Sequence, residues 1–380
     1  MRVLLDVSAV PMEPVGAGVY ALALARGLAA RAAHGEGGVE LLLLTRRNDT
    51  QRWSRIAPAA RVLPEVPAAR PLRLGWEQLH APSLAVRLGV DVWHGPHYTM
   101  PLRLTVPSVV TVHDLTFFDH PEWHERSKVM FFPRMIAASV HRANVCICVS
   151  EFTASRLLVH THPVGAVRVV HHGVDHERFS PAGDVHRDRA VLAEHGIAEP
   201  YIAFLSTIEP RKNASGLVAA FARVAAPRPD LRLVLAGGGG WGGERLRRAV
   251  ERSGVSTRIL RPGRLPDDVV PALYRRAAVV AYPSFEEGFG LPALEALACG
   301  APLVTSAGSS LGEVVGDAAI TVGSHDVAAL AGALETALDP ETAMRLRQAG
   351  PAHASSFTWE RSVEAHIDAY QIASDRAGVR

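Results

Sequence analysis

The sequence predicts two α/β domains, each a parallel sheet covered by helices on both faces. Three observations support this. Short apolar runs alternate with helical segments along the whole chain. At 380 residues the chain is too long for one ordinary domain and suits two of about 150 to 200 residues. A stretch rich in charge, Pro and Gly, residues 175–200, interrupts the alternation near the middle and is the predicted junction.

In the first half, residues 2–7 read as the opening strand and residues 16–31 as its helix. Residues 40–45 give a second strand, and the Pro- and Arg-rich residues 54–74 read as irregular. A helical stretch at 76–88 leads into a strand at 90–94. Then come a strand at 109–113, a helix at 126–142 and a strand at 145–149, with Ser150-Glu151 capping the next helix. Residues 167–171 close the half. The second half repeats the pattern, with strands at 202–206, 231–236, 258–260, 277–282 and 319–322. Helices are predicted over 214–226, 244–253, 267–276, 325–338 and 341–349, and a terminal amphipathic helix over 359–372.

Nearly half the residues are hydrophobic (48%), enough for two cores, and a net charge of +2 argues against a nucleic-acid binder. Residues 1–180 carry 19 Lys/Arg against 15 Asp/Glu, a mildly basic half suited to a phosphorylated or membrane-surface acceptor. Three cysteines without C-x-x-C spacing read as reduced, which predicts a cytoplasmic protein. The opening MRVLLDVSAV lacks the apolar region of a signal peptide, and no run reaches the length of a membrane span, so any membrane contact is expected to be peripheral.

The chemistry concentrates in PSFEEGFGLPALEALACGAPLVTS, residues 283–306. A glycine turn, Glu287-Gly288-Phe289-Gly290-Leu291, leads into a short helix predicted to begin at Pro292 and stop at Gly300. Free N–H groups and the helix dipole make such a start a site for phosphate. Glu287 and Glu295 bracket it with seven residues between them. Carboxylates repel phosphate, so their expected partners are hydroxyls of an attached sugar or ribose. Upstream, TIEPRKN (residues 207–213) contains Lys212, one of two lysines in the chain, the other being Lys128. Lys supplies a compact charge for a single phosphate oxygen where an Arg fork does not fit, and a cation at a helix start calls for an anionic partner.

His113 lies at the C-terminal end of a strand, where open α/β sheets place their ligands, and a neutral imidazole can both donate and accept there. His94 and His97 have no Cys or carboxylate at ligand spacing, so they read as lining or packing residues rather than metal ligands. No Asp-x-Asp pair occurs anywhere. Gly16 and Gly18 satisfy G-x-G-x-x-A formally, but eight residues with two prolines separate them from the strand. The second strand also ends in Thr45-Arg46-Arg47 rather than an acid. An NAD(P)-dependent oxidoreductase is therefore disfavoured.

The segment EGFGLPALE, with VHDLTFFDHPEWH and EPRKN, resembles the retaining, nucleotide-sugar-dependent glycosyltransferases of family 4. The resemblance runs from Gly16 to about Trp359. It implies the GT-B fold, two Rossmann-like doubly wound domains facing each other across a cleft. Residues 1–178 would form the acceptor side, residues 179–357 would bind the donor, and a helix at 358–374 would cross back to the first domain. In this reading His113 and Glu287 are catalytic. The donor is bound by Gly16, Gly18, Arg211, Lys212, Gly288, Phe289, Gly290, Leu291 and Glu295, with no metal and no cofactor beyond the nucleotide-sugar co-substrate. Turns at residues 237–241 and 263–266 would border the base. His172 stands where the family's Asn-Gly-Val-Asp motif has asparagine. HDLTFFDHPEW and TIEPRKN look most like mannosyl- and rhamnosyltransferases of surface polysaccharides, which implies GDP-mannose and a glycan or lipid-linked acceptor. The intact His113, Lys212, Glu287 and Glu295 set argues against a noncatalytic scaffold.

Overall fold

The computed structural model describes residues 1–34, 38–240 and 242–377. Two units partition the chain: unit 1 comprises Met1–Gly173 with Trp359–Arg380, and unit 2 comprises Val174–Thr358. Each is described by itself.

Among the described residues unit 1 holds seven strands: β1 (Arg2–Asp6), β2 (Glu40–Arg46), β3 (Arg61–Val66), β4 (Val92–Gly95), β5 (Ser108–Val112), β6 (Val145–Cys148) and β7 (Ala166–Val169). They form one all-parallel sheet in the order β3-β2-β1-β4-β5-β6-β7. The order reverses between β1 and β4, the switch point at which doubly wound sheets open a crevice beyond their strand ends. Successive β1 residues feed opposite faces. Val3 and Leu5 pack with Leu24, Leu28 and Tyr370, whereas Leu4 packs with Leu42, Trp93 and Ile136. Burial on both faces explains why these strands read as continuous apolar runs.

The helix Trp359–Ala377 lies on the first of these faces beside the helix Ala17–Ala33. A Cβ at Gly27 would come within 2.5 Å of Val363 Cγ2, so glycine permits this approach. Burying Val363 contributes about 1.5–3 kcal/mol.

In unit 1, residues 54–74 and 76–88 differ from the sequence expectation. Residues 54–74 are regular, containing the helix Thr50–Ile56, strand β3 and the start of the helix Arg70–Leu79. β3 is the sheet's edge, where Pro64 needs no ladder partner for its missing N–H. The helical stretch at 76–88 is two helices, Arg70–Leu79 and Ala81–Arg87, meeting at His80 with Pro82 in the second one's first turn.

Unit 2 repeats the topology with β8 (Tyr201–Leu205), β9 (Arg232–Ala236), β10 (Ile259–Gly263), β11 (Val279–Tyr282), β12 (Leu303–Ser306) and β13 (Ile320–Val322). The all-parallel order is β10-β9-β8-β11-β12-β13, with its switch point between β8 and β11. The expected junction region contains a helix, Val185–Ala193, whose N-cap Asp184 accepts from the Arg187 N–H at 2.8 Å. Ion pairs from Arg275 to Asp188 and from Arg276 to Glu199 pin this region to unit 2.

Candidate functional site

In unit 2 the loops leaving β8 and β11 meet at the switch point. After β8 the chain runs through a 3-10 turn, Pro210–Lys212, to Asn213 in the left-handed region (φ 55°). Asn213 is held there by its side-chain amide, which donates to Ser324 O at 2.8 Å. A Cβ at Gly216 would lie 2.3 Å from Asn213 Oδ1. The glycines after β9 press on the same loop: a Cβ at Gly240 would meet Ile208 O at 2.3 Å, and Ile208 N donates to Gly238 O at 3.1 Å. Across the switch point, Phe285 N donates to Arg211 O at 2.7 Å, locking the two loops together.

This framework buries a lysine. Lys212 is 7% exposed, and its Nζ donates to Glu287 Oε1 at 2.5 Å and to Tyr282 Oη at 2.8 Å, 5.2 Å from the Tyr282 ring centroid. Arg211 Nη1 donates to the other Glu287 oxygen at 2.9 Å, and its Nε to Glu209 at 3.0 Å. The anionic partner that a helix-start lysine calls for is thus present within the chain as the Glu287 carboxylate. Glu287 is 6% exposed. Burial pushes its carboxyl up, but the charges of Lys212 and Arg211 outweigh burial and hold it at about 2. Burial and the neighbouring Arg211 push the Lys212 ammonium down to about 8. Two cations stand against Glu209 and Glu287, so the cluster is close to neutral as it stands.

Beyond Glu287, whose carbonyl accepts from Ser310 Oγ at 2.7 Å, the glycine turn opens the helix Leu291–Ala298. Gly290 caps it at φ 102°, and a Cβ there would lie 2.5 Å from Leu311 Cδ2. Both facts require glycine. Phe289 is buried near Phe357, and Leu291 is half-buried. Glu295, half-buried on the helix, faces Tyr274, and burial pushes its carboxyl up to about 7 against the opposing charge of Arg178. The structure thus brings Arg211, Lys212 and Glu287 together, with Gly288–Leu291 leading on to Glu295 along one helix. Of the turn at 237–241, Trp241 lies outside the described residues.

Unit 1 carries the remaining predicted residues. Gly16 (φ 51°) precedes the helix Ala17–Ala33, and a Cβ on Gly18 would come 2.9 Å from Pro14 Cβ. Residues 7–16 separate β1 from that helix, far longer than a dinucleotide turn. His113, 8% exposed at the end of β5, points Nε2 at Pro96 O (2.8 Å), so Nε2 carries the hydrogen and Nδ1 is left to accept. Burial lowers its basicity. His94 is a packing residue, fully buried between Thr111 and Tyr370. Sequence reasoning missed Tyr282, which anchors the lysine from 70 positions away. It also missed Glu77, a buried carboxyl pushed up to about 8 by burial and by Asp6. No local pattern marks either one. Among the described residues, no group of three or more His, Cys, Asp or Glu is arranged to hold a metal.

Family models match both units, "Glycosyltransferase Family 4" over residues 14–178 and "Glycosyl transferases group 1" over residues 191–353. The chain is 34% identical over 287 residues to the O-antigen chain mannosyltransferase B of Escherichia coli, covering 74% of each protein. The chain belongs to glycosyltransferase family 4. This glycosyltransferase is also 37% identical over 221 residues to a D-inositol 3-phosphate glycosyltransferase of Salinispora tropica, a match over 54% of the chain and 45% of that relative. Its fold is GT-B. Sucrose-phosphate synthase from Thermosynechococcus elongatus superposes with a TM-score of 0.78 at 22% identity, over 97% of this chain and 98% of that one. Among the described residues no helix of the glycosyltransferase is long and apolar enough to cross a membrane.

Proposed function

We propose that this glycosyltransferase moves a hexosyl group, mannosyl from GDP-mannose, to a glycan or lipid-linked acceptor, with retention and without a metal ion. The observation that carries the reading is Lys212, a buried ammonium beside Glu287 at the unit 2 switch point. In the reaction the bond from the anomeric carbon to the diphosphate oxygen breaks and a bond to the acceptor hydroxyl oxygen forms. The hydroxyl proton leaves to the departing phosphate. Negative charge grows on the diphosphate as the sugar becomes cationic. Lys212, Arg211 and the N–H groups at the start of the helix Leu291–Ala298 take up that charge. Glu287 exchanges its cations for donor-sugar hydroxyls, and Glu295 accepts from the ribose. The Gly16–Gly18 loop approaches the diphosphate, and His113 hydrogen-bonds a hydroxyl at the reacting centre. The Escherichia coli relative's name and the HDLTFFDHPEW block support mannose. A cytoplasmic enzyme working at the inner membrane face fits such an acceptor.

A thermal-shift screen of GDP, UDP, dTDP and ADP, each with Mg²⁺ or with EDTA, tests the reading. Stabilisation by GDP in EDTA supports it. Stabilisation by another nucleotide alone overturns the mannosyl assignment, and a requirement for Mg²⁺ overturns metal independence.

A further inference from the structure

Unit 1 contains a chain of buried polar groups that ties the terminal helix to the sheet beside His113. Its members are Tyr20, His94, Thr111, His366 and Tyr370, each at most 1% exposed. His366 Nδ1 lies 2.6 Å from Ser362 O. A carbonyl only accepts, so Nδ1 carries the hydrogen, and in a neutral ring Nε2 accepts. The Tyr20 hydroxyl, 2.7 Å away, therefore donates to His366 Nε2. With its hydrogen committed, Tyr20 Oη accepts from Thr111 Oγ1 at 2.9 Å. Thr111 in turn accepts from His94 Nε2–H at 2.8 Å, and the bare His94 Nδ1 accepts from Tyr370 Oη at 2.8 Å. One carbonyl thus fixes the direction of every link. Burial keeps both imidazoles neutral, lowering His366 to about 4 and His94 well below the usual histidine range.

The chain meets the site at Tyr20, its second ring from the Ser362 carbonyl. The Tyr20 ring meets His113 edge-on at 5.1 Å between centroids and His172 at 4.8 Å. Pro96 O holds His113 Nε2 from the other side.

We propose that this one-directional hydrogen-bond chain orients His113, which makes Tyr20 and His366 positioning residues for glycosyl transfer and gives the terminal helix a part in the site. The proposal rests on the role assigned to His113 above. It goes beyond that role in assigning work to residues about 350 positions downstream of Tyr20.

Two measurements test it. In protein labelled with ¹⁵N-histidine, two-bond spectra at pH 7 should show His366 as the Nδ1–H tautomer and His94 and His113 as Nε2–H. The opposite tautomer or a charged ring at His366 or His94 overturns the chain. GDP-mannose hydrolysis to GDP and mannose reads turnover. Tyr20→Phe, which keeps the ring but removes the hydroxyl, should lower kcat about 10- to 100-fold. It should change KM for GDP-mannose less than twofold and move the His113 resonances. His366→Gln, which keeps a donor and an acceptor, should retain more turnover than His366→Leu. If His113→Ala abolishes hydrolysis while Tyr20→Phe and His366→Leu leave kcat intact, this inference fails and the functional reading stands. If His113→Ala leaves hydrolysis unchanged, the assignment of His113 fails first.

Discussion

Replacing Lys212 with methionine keeps the stem's volume and removes only the ammonium. Two effects follow, and the structure sets the size of each. The first is on stability. The charges of Lys212 and Arg211 hold the buried Glu287 carboxyl ionised, whereas burial disfavours the charged Lys212, so the pair stands only while both members are present. Removing one partner from a buried ion pair typically costs about 3–5 kcal/mol. Arg211 still contacts Glu287 at 2.9 Å, so the lower end applies. For a unit of this size about 3 kcal/mol lowers Tm by roughly 6–12 °C. The second effect is on binding. A charge-assisted hydrogen bond to phosphate contributes about 1.5–3 kcal/mol, so Kd for GDP rises roughly 10- to 150-fold. Titration calorimetry with GDP at pH 7, well below the variant's Tm, separates the two. Lys212→Arg should not restore affinity, because the planar fork does not fit a site closed by Tyr282 and Glu287. A variant that is less stable but binds GDP as tightly as the wild type would refute the phosphate role and leave Lys212 a structural residue.

Glu287→Gln removes the carboxylate charge that Arg211 and Lys212 share. GDP binding should be retained or tightened in calorimetry, while GDP-mannose turnover falls at least 100-fold because the sugar loses its carboxylate partner. Binding should also depend on pH. A carboxylate at Glu295 accepts from ribose hydroxyls, so affinity rises as pH passes up through about 7. Binding also needs the charged Lys212, so affinity falls above about 8, by up to tenfold per unit. GDP affinity measured from pH 5.5 to 9.5 should peak between these values, and Glu295→Gln should flatten the acid limb alone. The wild-type stability due to Glu287 has the sign of a depressed carboxyl. It is fully present above pH 4.5 and is lost as pH falls toward about 2, which acid unfolding of wild type against Glu287→Gln would show. Gly290→Ala must hold φ 102° and displace Leu311, which costs about 1–3 kcal/mol, read as a lower Tm with weaker GDP binding.

The doubly wound architecture was legible because its strands are buried on both faces. Runs such as Val3-Leu4-Leu5 and Val279–Tyr282 carry no polar alternation, and helices separate them at regular intervals. The helix Arg126–Arg142 was also legible to its ends, despite Pro133 within it. Strand β3 was not, because an edge strand tolerates the proline and exposed arginine that normally mark a loop. The helix Val185–Ala193 hid in a polar stretch, since most of its residues face solvent and its cap, Asp184, reads equally as loop.

For the site, Lys212 stood out through composition, in a chain that writes nearly every other cation as Arg, and through its place at a helix start. The glycine turn stood out through its helix start. The partners that bury and hold these groups are distant in sequence, Tyr282 for Lys212 and His366 for Tyr20. Such pairs form only when the sheet order brings their loops together, and no local periodicity encodes them.

A crystal structure of the protein grown with GDP-mannose in EDTA tests the central claim most directly. The account predicts the diphosphate against Lys212 Nζ and the Gly288–Leu291 amides, with Glu287 turned from its cations to the mannose hydroxyls. A diphosphate seated elsewhere, with the Lys212–Glu287 pair still closed, would contradict it.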